Sequence, residues 1–153
     1  MTPWRDFMEN INDLRHVMDF IGCTEEDSAY DEVLLTFIEN SIILPAIAHS
    51  WHLQSKHYTK HLQLDELYKE LPEYVDAFIE GIMNTRGALQ IGTGHSYKFT
   101  PIEQCIPILE EYCEQCKYVH AMLEEAEDYG STNTLEDIMS FIEGTLYKLK
   151  YLE

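Results

Sequence analysis

Between Leu64 and Ile82 the apolar residues fall at three- and four-residue intervals: Leu64, Leu67, Leu71, Val75, Phe78 and Ile82. A helix with 3.6 residues per turn brings such a set onto one side, whereas a strand would scatter it over both faces. The same period recurs along the chain. Trp4, Phe7, Met8, Ile11, Leu14, Met18 and Ile21 follow a Thr2-Pro3 start and stop at Gly22. A second start at Thr24, with Asp27 three residues on, leads through Val33, Phe37, Ile38 and Ile42 into IILPAIA. The Leu64–Ile82 helix follows a break near Gln54 to Lys56 and ends around Asn84 to Gly87. Thr100-Pro101-Ile102-Glu103 has the form of a capping box, and its helix is expected to carry Cys105, Leu109, Cys113, Cys116 and Leu123 as far as Tyr129-Gly130. Thr134 and Asp137 then cap a last helix through Leu135, Ile138, Ile142 and Leu149. Pro45 and Pro72 fall inside two of these patterns and should kink them. No period-two run and no Asn-Gly hairpin signal occurs.

An all-α fold is therefore expected. Its 153 residues suit one domain over 1–153, with an N-terminal helix at 1–22 and a four-helix bundle over 24–153. The glycine-containing stretch 87–100 is the one long connection, enough to cross the end of such a bundle. Twenty-eight acidic against ten basic residues give a net charge of −18, which repels phosphate backbones and anionic lipid. Direct nucleic-acid or membrane binding is not expected. The spacing of Cys23, Cys105, Cys113 and Cys116 forms no secreted disulfide framework, and no signal segment is visible, so a reducing cytoplasm fits.

Polar residues single out one more feature. His49, His61, Asp65, Asp76 and Glu80 are candidate metal ligands. The last four share a flank of one helix, because His61 to Asp65 and Asp76 to Glu80 are one turn each and Asp65 to Asp76 is three. Composition alone would make this a solvated charged face. Asp65 and Asp76 are about 16 Å apart along the helix axis and cannot hold the same ion. The pairs His61/Glu80 and Asp65/Asp76 are, however, centred on the same point, between Glu70 and Leu71. A two-fold axis there would set His61 against a partner's Glu80 and Asp65 against its Asp76, so an antiparallel homodimer would complete two identical sites.

The spacing His-x11-His-x3-Asp-x10-Asp-x3-Glu resembles the ferroxidase signature of the starvation-induced mini-ferritins, the Dps family. All five positions agree in type and order, and MLEEAEDYGSTNTLEDIMSFIEGTLYKL is similar to that family's closing helices. The resemblance covers residues 28–153. It implies a ferritin-like bundle, with the 1–22 helix as an addition, that binds non-haem iron in a mono- or di-iron site. Fe(II) would be oxidised by peroxide or oxygen and stored as ferric mineral. His49, His61 and Asp65 would be the catalytic and metal ligands from one subunit, and Asp76 and Glu80 those from its partner, within a larger homo-oligomer, a dodecamer by resemblance. Ser50 stands where that family often has tryptophan, and Ile79-Glu80-Gly81 replaces its Ala-Glu-Arg. The alternative is a non-catalytic, ferritin-like interaction protein that uses its acidic surface for partners.

Remaining signals are weaker. His52 and His57 could support the site. Trp51 and Tyr58 stand near it and could trap oxidising equivalents. Cys113 and Cys116 lack two further zinc ligands and read as core. His95 and His120 carry no assignment.

Overall fold

The structure, a computed structural model, describes residues 30–91 and 96–152. The 1–22 helix, Cys23, the Thr24 start and His95 lie outside the described residues. The chain divides into two compact units, Met1–Asp31 and Glu32–Glu153. The second holds α1 (Glu32–Gln54), α2 (Tyr58–Arg86), a 3₁₀ turn (Ile102–Gln104), α3 (Cys105–Glu125) and α4 (Tyr129–Tyr151). No strand occurs among the described residues.

Each helix ends for a local reason. α2 stops at Gly87, whose φ of 83° is open to glycine at little cost and whose N–H reaches the Met83 carbonyl. The expected capping box at Thr100 does not form. Its hydroxyl instead accepts from Trp51 Nε1 at 3.0 Å, and Gln54 supplies the cap from another helix, its Oε1 accepting from the Ile102 N–H at 2.9 Å. α3 also ends earlier than its spacing predicts, at Glu125, and α4 starts at Tyr129 rather than at Thr134. The cause is Asp128, whose Oδ1 accepts from the Ser131 N–H at 3.2 Å and whose Oδ2 accepts from Arg86 at 2.9 Å. Thr134 sits inside the helix and donates back to the Ser131 carbonyl. α1 and α2 run on through Pro45 and Pro72. Pro107 occupies the first turn of α3, where an amide has no helical partner to lose.

The helices pack as a ring in which α1 touches α2, α2 touches α4, α4 touches α3 and α3 touches α1. Specific contacts fix their directions. The end of α1 meets the start of α2 through His52 and His61, and Gln54 and Trp51 meet Thr100 just before α3. At the opposite end Arg86 of α2 meets Asp128 before α4. The order is up, down, down, up. The connection between Gly87 and Pro101 must therefore run the length of the bundle rather than cross one end. It is tied down partway where the Tyr97 hydroxyl donates to buried Glu39 at 3.4 Å, and burial together with the Glu39 carboxylate pushes that phenol up to about 12.

At the centre Phe37 meets Phe78 edge-on at 5.7 Å and stacks on Tyr112 at 5.4 Å. The Tyr112 hydroxyl pairs with Ser41 Oγ at 2.7 Å. Trp51, Leu64, Leu67, Leu71, Leu109 and Leu135 fill the layers around them. Each such side chain contributes about 1.5–3 kcal/mol by leaving water. Cys105, Cys113 and Cys116 are buried free thiols, and burial drives Cys113 up to about 11 and Cys116 higher still. α1 is long and apolar enough to cross a membrane by length and composition, but half of that window is buried in the unit, where the helix needs apolar flanks for both α2 and α3.

Candidate functional site

The turn Ser55–His57 reverses the chain and lays the last turns of α1 against the first turns of α2. There His52 and His61 exchange hydrogen bonds. His52 Nδ1 lies 3.0 Å from the His61 carbonyl, and His61 Nδ1 lies 3.0 Å from the His52 carbonyl. A carbonyl only accepts, so both Nδ1 atoms carry hydrogen and in the neutral rings both Nε2 atoms present a lone pair. The rings stack at 3.8 Å with 28° between their planes.

Asp65, one turn beyond His61, faces this pair. Lys69 Nζ donates to its Oδ2 at 2.8 Å, while its Oδ1 lies 3.7 Å from His52 Nε2, too far for a hydrogen bond. The Lys69 hydrogen bond holds the Asp65 carboxyl below its ordinary range, with help from Tyr68 and His52 and against the opposing effect of burial. Tyr68 closes the group, stacked on His49 at 4.2 Å and tilted against His52 at 5.3 Å. His49 stays exposed on α1.

Three of the five sequence candidates, His49, His61 and Asp65, thus come together at the α1–α2 end. Asp76 and Glu80 do not join them. They stand exposed farther along α2, and neither makes a hydrogen bond or ion pair among the described residues. No group of three or more His, Cys, Asp or Glu side chains is arranged to hold a metal ion among the described residues of one chain.

The residue that sequence reasoning undervalued is His52, which lies between His61 and Asp65. Its signal was the register of the α1–α2 hairpin, and that depends on the turn length. His57 points elsewhere, lining a groove with Lys60 and Lys148. His120 pairs with Glu136 at 2.8 Å between α3 and α4. Trp51 is buried against Thr100, and Tyr58 is exposed.

Among the described residues, fold and site together define an all-helical unit of four helices with an imidazole and carboxylate cluster at one hairpin. By sequence, a family of unknown function (DUF5856) matches residues 52–149, and the chain belongs to that family. This overturns the assignment to the mini-ferritins of the Dps family. The five-position spacing that suggested it is sparse, since each short interval is one that any helix flank imposes. The matched stretch contains His52, His61, Asp65, Asp76 and Glu80 but not His49. No curated protein and no solved structure matches the chain.

Proposed function

We propose that the Glu32–Glu153 unit is a ferritin-like four-helix bundle that binds Fe(II) as substrate at sites shared between two copies and passes its electron to peroxide or oxygen. An up, down, down, up ring with one long crossover is the arrangement of ferritin-like bundles, which build their iron sites from inward or facing carboxylates and imidazoles. The observation that carries the reading is the mirrored ligand order on α2. This helix is unbroken from Tyr58 to Arg86, so His61, Asp65, Asp76 and Glu80 keep their spacing along a single axis. Asp76 and Glu80 face solvent without partners among the described residues, as residues reserved for a second copy would.

In this reading His49, His61 and Asp65 bind from one copy while Asp76 and Glu80 close the site from the other. Mixed nitrogen and oxygen donors suit iron in both oxidation states. Each Fe(II) releases one electron, so two are consumed for each peroxide reduced, with protons drawn from water. The protein's part is to hold the ions, to let like-charged carboxylates approach only around a cation, and to concentrate cations through its −18 charge.

The test mixes two inactive variants. His61→Ala and Glu80→Ala should each lose ferric absorbance after Fe(II) and peroxide are added. Together they should regain about a quarter of wild-type activity, because half the dimers are mixed and half of their sites are intact. Heterodimers that form but stay inactive, or a chain that scatters light as a monomer, would overturn the shared site. A protein that binds no Fe(II) at all would leave the acidic interaction module as the reading.

A further inference from the structure

The geometry points to His52 as a metal ligand in its own right, forming with Asp65 a two-donor seat for a divalent d-block ion within a single chain. This deepens the metal reading of the α1–α2 end and rests on it. The seat nevertheless needs no second copy.

Three observations lead there. The first is tautomeric: the His61 carbonyl 3.0 Å from His52 Nδ1 fixes the hydrogen on that nitrogen, leaving the lone pair on Nε2. A ring nitrogen tied to a backbone carbonyl is the arrangement that orients metal-bound histidines elsewhere in proteins. The second is the gap itself. Nε2 faces Asp65 Oδ1 across 3.7 Å, so two electron-pair donors confront each other with no hydrogen bond between them. Bonds of about 2.0–2.2 Å from an imidazole nitrogen and a carboxylate oxygen to one ion would span that gap at an angle of about 125°. The third is support. Lys69 occupies Oδ2 and leaves Oδ1 toward His52, while the His61 ring stacks on the His52 ring at 3.8 Å. The His52 side chain is only 11% exposed, so packing holds the ring in this orientation.

Sequence spacing ranked His52 below the five candidate ligands because it falls outside their pattern. The hairpin register puts it nearer to Asp65 than that pattern implies.

Zn(II), which undergoes no redox change, is the probe. Titrated into the full-length protein with ¹⁵N-labelled histidine, it should shift the His52 Nε2 resonance strongly while the Nδ1 hydrogen is retained. His52→Ala removes a direct ligand and should weaken Zn(II) binding, read by calorimetry, by more than the roughly ten- to hundredfold that loss of a supporting partner costs. The backbone carbonyl that orients His61 survives this substitution, so the loss reports the imidazole, and an unchanged helical circular dichroism spectrum excludes unfolding. Glu80→Ala should leave the His52 shift in place, because the seat lies within one chain. If His49 and His61 respond and His52 does not, this inference fails while the shared iron site stands. If no imidazole of the cluster responds to Zn(II) or to Fe(II) under anaerobic conditions, both fail.

Discussion

Asp128 shows how much one carboxylate can organise. It caps α4 through Ser131, anchors Arg86 from the far end of α2, and follows Glu127, whose φ of 59° turns the chain between α3 and α4. Burial pushes this carboxyl up, but the hydrogen bonds from Arg86 and Ser131 more than offset it, and it lies below the ordinary 3.8. A carboxyl depressed in the folded state adds stability in full above its unfolded value and loses it as pH falls through the folded value. We expect Asp128→Ala to cost about 1–2 kcal/mol in urea unfolding at neutral pH, the usual range for an N-cap. The difference from wild type should shrink as pH drops below 3.8, and a difference that stays constant in acid would mean that the charge is not its source. Asp65 and Lys69 form a closer-looking pair on the surface, but Lys69 is 58% exposed and solvent screening leaves such a pair little to contribute.

Among the elements, α2 was the most legible in the sequence and α3 the least. Leu64, Leu67, Leu71, Val75, Phe78 and Ile82 are all buried, as one apolar flank requires, and Gly87 ends the helix where a positive φ is needed. Ile42, grouped by spacing with the buried face of α1, is instead 44% exposed. Caps were misread wherever the capping group comes from a distant residue. Thr100 was already engaged by Trp51, Gln54 did its work from another helix, and Asp128 gained weight from Arg86, relations that only the folded chain supplies. The His52 and His61 exchange was hidden for the same reason, since it depends on the turn between two helices rather than on either one. Pro72 offers a test at this scale. It sits exposed inside α2 and denies the Tyr68 carbonyl its helical donor, a defect that costs up to about 3 kcal/mol in a helix interior. Pro72→Ala should therefore raise the urea midpoint, by roughly 1–3 kcal/mol of stability. A lower midpoint would mean that the proline's fixed φ is needed for packing.

For the molecule as a whole, charge dominates what it can meet. With 28 acidic against 10 basic residues, the metal-free protein should give no gel shift with duplex DNA at physiological salt, because such affinity comes from neutralising phosphates. A clear shift there would require a local basic surface strong enough to overcome the net charge. The path of the chain has a different kind of consequence. The α1–α2 and α3–α4 hairpins close at opposite ends of the unit, and the stretch from Gly87 to Pro101 is the one covalent link between them. Closing a longer link costs little entropy, about 0.6 kcal/mol for each doubling of its length. At exposed Gln90 and Ile91 this link can thus accept inserted segments, even a folded one, while the four helices and the histidine cluster keep their places. The crossover is the natural point at which this architecture can acquire new parts.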